Sequence, residues 1–551
     1  MKLNFLPFRR PNRPTLTPLA LNVVAATFIM AVYNHTFWTV AADAYDHALI
    51  PQLTIGLSVW ALTLLVLTVL GFRWLQKPVL AFLLILSAVT SWYMDTLGVF
   101  IDRNMIQNAA TTTVNEAKHL ITPAFIRHVA LFGVLPAIGV YWVRLRQPGL
   151  WRNAWTTVAT AVACVMLFAG FFLVDLKSKA TVLRERKDLA ASIQPLAPMS
   201  GALRYAKLML VTRRVTVAEV GRDARKGPLL ASAQKPVVTI IVAGETARAQ
   251  NFGIDGYSRD TTPELAKHDI INFSDTESCG TATATSLPCM FSRFDRRGYS
   301  FRNGISNENL LDVLSHAGFD VEWWENNTGD KSIADRVKTR RFTDLKDPEH
   351  CQQGECIDSI FLDALRERVA TIETDTVLVL HQIGSHGPAY FLRYPPEMER
   401  FAPACNTAEF DDCKVEQIVN AYDNTIAYTD YILARVMDTL DAQDSIIPAL
   451  IYVSDHGESL GESGLFLHGA PYFMAPEEQT HVPMLMWFSE RFKSTLRVDD
   501  GCLRNRAQAP VSHDNLFHTV LGLLDVQTRA RQVDHDLTAG CHKTAALGPG
   551  E

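Results

Sequence analysis

Two patterns of hydrophobic and polar positions divide the 551-residue chain. The first part contains five long apolar stretches, each close to the roughly 20 residues that a helix needs to cross a bilayer. Short polar loops join them, which disfavours five buried helices of one soluble core. We therefore predict five transmembrane helices, at residues 19–42, 48–71, 78–101, 123–145 and 154–176.

From Val237 onward, short apolar runs alternate with amphipathic or polar segments, which is typical of a largely parallel sheet covered by helices. The first three of four predicted strands end abruptly in polar, glycine-containing sequence, as buried parallel strands do. Ligands of such folds bind beyond the carboxyl ends of the strands, so we expect the functional site there. The predicted strands are residues 237–243, 376–380, 449–453 and 482–488.

The charge distribution separates the same two parts. Residues 1–178 carry 13 Lys and Arg against 6 Asp and Glu, whereas the remainder carries 39 against 52. Within the first part, the basic residues concentrate in the N-terminal arm and in the second and fourth loops. The positive-inside rule then makes the N-terminus cytoplasmic, and an odd number of spans exports everything after Leu176. The composition excludes a basic nucleic-acid binder.

The nine cysteines support export of the second part. Cys164 lies inside the fifth predicted span, and the other eight lie beyond residue 178, an even number that suits an oxidising compartment. A thiolate zinc site is disfavoured because the sequence contains no C-x-x-C pair. Proximity in sequence favours the pairs Cys279–Cys289, Cys351–Cys356 and Cys405–Cys413, which leaves Cys502–Cys541.

A basic segment, residues 179–235, connects the two parts with 12 Lys and Arg against 4 Asp and Glu. We predict one or two short helices and a loop close to the membrane surface. The segment is either a solvated linker or a lipid contact, in which each cation contributes about 1 kcal/mol beside anionic headgroups. The candidate contacts are Arg184, Arg186, Lys187, Arg213 and Arg214. The predicted domains are 1–178, 179–235 and 236–545, before a disordered tail at 546–551.

Residues that follow the predicted strands indicate a metal site. Glu245 follows the first strand, and Asp455 and His456 follow the third, which supplies the carboxylate and imidazole ligands of catalytic zinc. Neighbouring side chains on a strand face opposite ways, so these two converge only where the strand breaks, as the following glycine permits. The pair alone could equally cap a helix. His386 and His468 at comparable positions favour the metal.

A nucleophile is expected in residues 279–289, where small hydroxyl residues follow a glycine and precede an apolar helix start. Such a turn points backbone N–H groups at a phosphate. Spacing does not distinguish Thr281, Thr283 and Thr285 as the reactive hydroxyl. A Thr/Ala-rich loop without catalytic function is the alternative.

Four motifs behind five spans resemble those of the lipid A phosphoethanolamine transferases. This family includes the mobile colistin (polymyxin) resistance enzymes and belongs to the alkaline phosphatase and sulfatase superfamily. The resemblance covers nearly the whole chain, and it implies an α/β fold: a five-helix transmembrane domain followed by a periplasmic alkaline-phosphatase-like α/β/α domain. The motifs are Gly-Glu-Thr-Ala-Arg at 244–248, residues 279–289, Gly-Ser-His-Gly-Pro at 384–388 and Ser-Asp-His-Gly-Glu at 454–458.

The resemblance also implies roles for individual residues. One tightly bound Zn²⁺ is expected, and Thr283 is expected to be the nucleophile that becomes modified by phosphoethanolamine. His386 and His468 match catalytic histidines of the substrate site, where a second zinc could bind. The expected zinc ligands are Glu245, Thr283, Asp455 and His456, and the other expected substrate contacts are Asn108, Thr112, Glu116, Thr328 and Lys331.

The residues expected to contact the donor lipid, Asn108, Thr112 and Glu116, also follow an i, i+4, i+8 spacing. This spacing predicts that they share one face of a single helix. Without the resemblance, a solvated helix face beside the membrane would be the preferred interpretation.

The implied reaction transfers phosphoethanolamine from phosphatidylethanolamine to a phosphate of lipid A through a covalent threonine intermediate, with release of diacylglycerol. The implied location is the bacterial inner membrane, with the catalytic domain in the periplasm, and the implied consequence is polymyxin resistance. We expect a monomer that binds no nucleic acid. The alternatives are a transferase with another envelope acceptor (lipopolysaccharide core, periplasmic glucan or protein), a zinc hydrolase of phosphodiesters or sulfates, and a non-catalytic membrane sensor.

Overall fold

The computed structural model describes residues 13–212 and 215–543, without the side chains at positions 115 and 116. Some of the expectations above therefore concern groups outside the described residues. These are Arg213, Arg214, the tail 546–551 and the side chain of Glu116.

The chain forms two compact units, which do not coincide with the domain boundaries predicted at 178 and 235. The first unit contains residues up to 103 together with 123–203. The second contains residues 104–122 together with those from 204 onward. Residues 104–122 lie between two apolar stretches in sequence, yet they pack with the second unit.

The first unit contains the apolar helices. A bent pair, Pro18–Val32 and His35–Ala44, meets at 65° and makes a fifth candidate span if it is counted as one. The prediction of a helical transmembrane region is confirmed, although its first stretch, 19–42, is not a single helix. The four unbroken candidate spans are Leu49–Leu70, Arg73–Leu97, Pro123–Trp142 and Leu150–Leu173.

The first apolar stretch bends because a polar residue interrupts it. The fully buried side chain of Asn34 donates to the carbonyl of Ile29 (3.0 Å) and accepts from the backbone N–H of Gln194 (2.9 Å). These bonds satisfy backbone groups at a helix end where little water is available. Average hydropathy along the chain detects the length of the stretch but not this break.

The basic segment after the last span is more helical than predicted. Arg186 donates to Asp43 (2.6 Å) and to Asp188 (2.9 Å). Arg186 thus forms ion pairs with two carboxylates of the first unit. The helices here are Leu176–Glu185, Lys187–Ala191, Leu196–Thr212 and Pro228–Ala231.

An eight-stranded sheet forms the centre of the second unit. Its strands in chain order are β1 Val237–Gly244, β2 Ile270–Glu277, β3 Asp320–Glu325, β4 Lys338–Arg341, β5 Thr376–His381, β6 Ile447–Ser454, β7 His481–Phe488 and β8 Val511–Ser512. Their spatial order is β8-β2-β7-β6-β1-β5-β3-β4. Among these described strands, only β7 runs antiparallel to its neighbours.

The four strands predicted from apolar runs are all present, as β1, β5, β6 and β7. Every residue in β1, β5 and β6 is buried, because both faces of the sheet are covered, and this explains why polar residues do not alternate along them. The register pairs Ala243 with His381 and Gly244 with Ser454. The residues after these strands therefore leave the sheet at one edge.

The strands that the prediction missed have a different pattern. The edge strand β4 is fully exposed, and β2 and β3 mix buried with partly exposed positions.

The four disulfides are those predicted, Cys279–Cys289, Cys351–Cys356, Cys405–Cys413 and Cys502–Cys541, and Cys164 is buried and unpaired.

Helices and short two-stranded sheets complete the second unit. The longest helix, Val415–Asp441, has 27 residues. The other α-helices are Arg103–Thr111, Val114–Leu120, Thr283–Met290, Phe301–Ile305, Leu310–His316, Ile360–Val369, Glu477–Thr480, Glu490–Thr495, Asp500–Arg506 and Leu516–Leu523. The paired short strands are Arg225–Lys226 with Val526–Gln527, Cys351–Gln352 with Glu355–Cys356, and Ser459–Leu460 with Phe466–Leu467.

Candidate active site

Three side chains with metal-binding groups meet at the carboxyl edge of the sheet. Glu245 follows β1, and Asp455 and His456 follow β6. One ligand atom from each lies within 4.8 Å of those of the other two, and all three residues are buried. Beyond the strand, the backbone N–H of His456 donates to Oδ1 of Asp455 (2.7 Å). The two neighbouring side chains thus converge where the strand breaks.

The donor atoms of this cluster fit a zinc ion. Nδ1 of His456 donates to the carbonyl of Gly457 (2.9 Å), which leaves Nε2 as the ligand atom. Oδ2 of Asp455 is buried and has no hydrogen-bond partner within the described part of the chain. A buried carboxylate oxygen without a donor is costly unless a cation meets it. Carboxylate and imidazole donors are those of catalytic zinc sites.

The charges of the cluster favour the same ion. Burial and the neighbouring carboxylate of Glu245 raise the pKa of Asp455 well above its usual value. Burial raises the pKa of Glu245 too, but the hydrogen bond and charge of His386, with the nearby His456, hold that pKa well below its usual value. A divalent cation between the two buried carboxylates would remove their repulsion.

The hydroxyl of Thr283 reaches this cluster. Its Oγ1 donates to Oε1 of Glu245 (3.0 Å) and lies 3.3 Å from Nε2 of His456. Thr283 is also the first residue of the helix Thr283–Met290, where the helix dipole favours negative charge. An alkoxide or a phosphate at this oxygen would therefore be stabilised.

The two neighbouring threonines have other contacts. The hydroxyl of Thr281 donates to the carbonyl of Ala470 (2.6 Å). The methyl group of Thr285 lies next to Gly280. Of the three threonines that spacing does not distinguish, the described contacts therefore bring Thr283 to the candidate ligands.

Both predicted substrate-site histidines lie beside the cluster. Nδ1 of His386 is 3.0 Å from Oε1 of Glu245, and Nδ1 of His468 is 3.1 Å from Oε2 of Glu458. The ring of His468 lies 5.7 Å from that of His386 and 4.3 Å from that of His456, between ring centroids. Glu458 also accepts from the hydroxyl of Tyr390 (2.6 Å), so its two oxygens are engaged away from the metal ligands.

The chain is similar to known proteins along nearly its whole length. A family model described as "Phosphoethanolamine transferase EptA/EptB" matches residues 59–210, and one described as "Sulfatase" matches residues 238–526. Phosphoethanolamine transferase EptA of Escherichia coli K12 is 37% identical over 545 residues, which cover 97% of this chain and 98% of that protein. The chain belongs to the EptA-type phosphoethanolamine transferases.

Two further similarities extend over nearly the whole transferase. Phosphatidylethanolamine transferase Mcr-1 of Escherichia coli is 35% identical over 535 residues, covering 93% of this chain and 96% of that protein. The solved integral membrane lipooligosaccharide phosphoethanolamine transferase A of Neisseria meningitidis matches with a TM-score of 0.93 and 33% identity, over 96% of this chain and 100% of that one. The predicted superfamily, fold class and enzyme class are confirmed.

Sequence reasoning missed a group of polar residues at the end of β3 in this transferase. The side-chain amide of Asn327 donates to Oε2 of Glu245 (2.6 Å), and its backbone N–H donates to Glu325 (2.9 Å). Glu325 also lies 2.9 Å from Nδ1 of the buried His381. The polar run Glu325-Asn326-Asn327 could have indicated a site residue. Because β3 was not predicted, the run could not be placed at the edge of the sheet.

Thr328 and Lys331, the predicted contacts to the transferred group, follow Asn327 in the same loop. Nζ of Lys331 donates to the hydroxyl (3.0 Å) and the carbonyl (2.9 Å) of Thr328. Thr328 and Lys331 therefore lie together in this loop. The residue before Thr328, Asn327, contacts Glu245 directly.

The segment expected to contact the donor lipid is two helices, Arg103–Thr111 and Val114–Leu120, so the prediction of a single helix face is wrong. The hydroxyl of Thr112 donates to the carbonyl of Asn108 (2.8 Å), and that of Thr111 donates one turn back in the same way. Consecutive β-branched threonines whose hydroxyls bond to the preceding turn weaken a helix. Asn108 and Thr112 stay one turn apart, but Glu116 belongs to the second helix.

Proposed function

We propose that this transferase moves phosphoethanolamine from phosphatidylethanolamine to lipid A through a covalent intermediate on Thr283. The observation that carries the proposal is the Thr283 hydroxyl, 3.0 Å from Glu245 at a helix N-terminus and beside the buried Glu245, Asp455 and His456. Membership of the transferase family supplies the chemical class of the reaction.

Four side chains would hold one zinc ion, namely Glu245, Thr283, Asp455 and His456. Bound zinc lowers the pKa of a coordinated hydroxyl and neutralises charge on phosphodiester oxygens. The unpartnered oxygen of Asp455 and the orientation of His456 support this set. A second zinc at His386 and His468 stays a prediction, because both histidines have Nδ1 bonded to a carboxylate and are equally suited to proton transfer.

In the first half of the reaction, the Thr283 oxygen attacks the phosphorus of phosphatidylethanolamine, and the bond to the diacylglycerol oxygen breaks. Oε1 of Glu245, which accepts the hydrogen bond of the Thr283 hydroxyl, orients the attacking oxygen and takes its proton. His386 or His468 gives a proton to the departing oxygen through Nε2, since Nδ1 of each is held by a carboxylate. The products are diacylglycerol and a threonine carrying phosphoethanolamine.

In the second half, a phosphate oxygen of lipid A attacks the same phosphorus, and the Thr283 oxygen leaves and regains its proton from Glu245. Thr328 and Lys331 would contact the transferred group, with the Lys331 ammonium near its phosphate oxygens. Asn108, Thr112 and Glu116 would contact the donor lipid, with Glu116 paired to the ethanolamine ammonium.

We infer that the enzyme resides in the bacterial inner membrane with its second unit in the periplasm. Five spans and a cytoplasmic N-terminus would place that unit there, and its four disulfides suit an oxidising compartment. Both substrates are membrane lipids, which explains the tether. An added amine on lipid A reduces negative surface charge, so polymyxins would bind more weakly.

Mass spectrometry of lipid A from a susceptible Gram-negative host tests the proposal. Cells expressing the wild-type chain should contain lipid A with a phosphoethanolamine mass increment, and cells expressing Thr283→Ala should not. Thr285→Ala is the matched control, since this neighbouring hydroxyl makes no described contact with the cluster, and it should retain the increment. Unmodified lipid A from a well-expressed, zinc-loaded wild type would overturn the acceptor and direct the search to core sugars, glucans and proteins.

A further inference from the structure

A chain of buried polar contacts joins His386 to the segment 104–122. The carbonyl of His386 accepts from Nε of Arg393 (2.7 Å). The guanidinium of Arg393 faces the carboxylate of Glu355, with N–O distances of 3.2 and 3.4 Å. The other end of this chain is His119, whose Nε2 lies 2.9 Å from Oε2 of Glu355.

The three linking side chains are withdrawn from water. Arg393 is 1% exposed, Glu355 is 9% exposed and His119 is 10% exposed. Burial raises the pKa of Glu355, but the charge of Arg393 and the hydrogen bond from His119 outweigh it and hold that pKa at about 2. A charged group in such a place depends on its partner, because a partner's loss leaves a buried charge unpaired.

Glu355 stands on a short hairpin, residues 351–356, which we call the disulfide hairpin because Cys351–Cys356 closes it. The hairpin touches the helix Val114–Leu120 through two consecutive residues. Lys118 donates to the carbonyl of Gln353, and His119 contacts Glu355. The helix is therefore held to a cross-linked element rather than to a loose loop.

The segment 104–122 also approaches the other histidine of the site. A Cβ atom at Gly469 would lie 2.5 Å from Cε of Met105, so Met105 lies directly against this glycine. Gly469 follows His468 in the chain. One end of the segment thus contacts the neighbour of His468, and the other end connects through the disulfide hairpin to His386.

We propose that Glu355 and Arg393 are positioning residues that couple the docked segment 104–122 to the placement of His386 beside Glu245. The proposal rests on the role proposed for His386 in protonating the departing oxygen. A segment expected to contact the donor lipid would then hold a proton donor in place, so that a displaced segment leaves His386 misplaced. Small displacements of a catalytic group reduce rate strongly.

Steady-state kinetics of the zinc-loaded full-length enzyme in detergent tests the coupling, with diacylglycerol release from phosphatidylethanolamine as the readout. Glu355→Gln and Arg393→Lys should each lower kcat by about 10- to 100-fold at unchanged zinc content. His119→Ala should lower kcat and raise the donor KM, whereas His119→Gln, whose amide can still donate to Glu355, should restore most of the loss.

A double-mutant cycle separates coupling from two independent defects. His119→Ala combined with Glu355→Gln should be no slower than Glu355→Gln alone, because both changes break the same link. Asp363→Asn is the matched control, since Asp363 forms an exposed ion pair with Arg366 in the same unit, and it should leave kcat and KM unchanged.

Three outcomes would overturn the proposal. His119→Ala could match the wild type in kcat and donor KM, the effects of the two substitutions could multiply, or His119→Gln could fail to rescue. If Glu355→Gln or Arg393→Lys does not fold, the kcat and donor KM of His119→Ala and His119→Gln still decide whether the coupling exists. A zinc-loaded wild type that releases no diacylglycerol would overturn the proposed function and this coupling together, whereas an active wild type with a silent His119→Ala would overturn the coupling alone.

Discussion

The side-chain amide of Asn327 donates a 2.6 Å hydrogen bond to Oε2 of Glu245, the carboxylate whose Oε1 accepts from the hydroxyl of Thr283. Glu245 is therefore held from both sides, by a neutral amide on one oxygen and by the candidate nucleophile on the other. Asn327 in turn is fixed by its backbone bond to Glu325. This arrangement makes the orientation of Glu245 depend on a loop after β3.

Loss of this amide should slow the reaction. We expect Asn327→Ala to lower kcat by about 10- to 100-fold, because groups that orient a metal ligand contribute at this level. Asn327→Asp should be worse, since it adds a third carboxylate to the cluster, directly against that of Glu245. Both are measured as kcat and KM for diacylglycerol release, with the exposed Asn406→Ala as control. Wild-type kinetics in Asn327→Ala would show that Glu245 needs no such support.

Asp455→Asn should weaken zinc binding. The substitution keeps the shape of the side chain but removes the charge of the buried, unpartnered Oδ2. Zinc added to the metal-free wild type should raise Tm, because an ion that binds only the folded state stabilises it. The variant should need at least about tenfold more zinc for the same rise. Asp363→Asn should behave as the wild type, and an unchanged zinc titration of Asp455→Asn would remove Asp455 from the ligand set.

The buried His513 should make stability depend on pH. Its Nδ1 accepts from the backbone N–H of Cys279 (3.1 Å), Nε2 donates to the carbonyl of Ser454 (2.9 Å), and burial lowers its pKa to about 4. Between pH 6.5 and 4 the unfolded chain binds a proton here that the folded chain does not, so stability falls as pH falls. From pH 7 to pH 5 this group should cost about 2 kcal/mol.

This pH dependence is isolated by comparing variants. With EDTA present, so that metal loss does not contribute, the decrease in Tm from pH 7 to pH 5 should be smaller in His513→Gln than in the wild type. The exposed His47→Gln should show the wild-type decrease. Equal decreases in the wild type and His513→Gln would contradict a histidine kept neutral by burial.

The bent pair Pro18–Val32 and His35–Ala44 should cross the membrane as one span. A cysteine placed at Asp46 should then react in spheroplasts with a membrane-impermeant thiol reagent. A cysteine at Thr15, before the bent pair, should react only after permeabilisation, because the N-terminus is cytoplasmic when five spans are present. Both positions are exposed. Equal reactivity of the two cysteines in spheroplasts would mean that the bent pair does not cross.

Sequence alone was sufficient for features that depend on local pattern. Apolar stretches of spanning length, the apolar runs of β1, β5 and β6, and cysteines close in sequence all predict structure from neighbours along the chain. Glu245, Asp455 and His456 could be proposed as ligands because each follows a strand, and parallel strands end at a common edge. The four disulfides were confirmed, three predicted from proximity and Cys502–Cys541 by elimination, and so was the superfamily that the resemblance of the four motifs implied.

Tertiary contacts decided the rest, because the deciding partners lie far apart in sequence. Asn34 breaks the first span through Gln194, and Asn327 joins the site through β3. Spacing does not distinguish Thr283 from its neighbouring threonines, but its contact with Glu245 does. The segment 104–122 is the clearest case: hydropathy assigns it to a loop between spans, yet His119 and Glu355, 236 residues apart, hold it against the catalytic unit. A periodic pattern indicates which face of a helix or strand is buried. The distant side chain that a polar group on that face contacts is decided only when the two elements pack together in the folded protein.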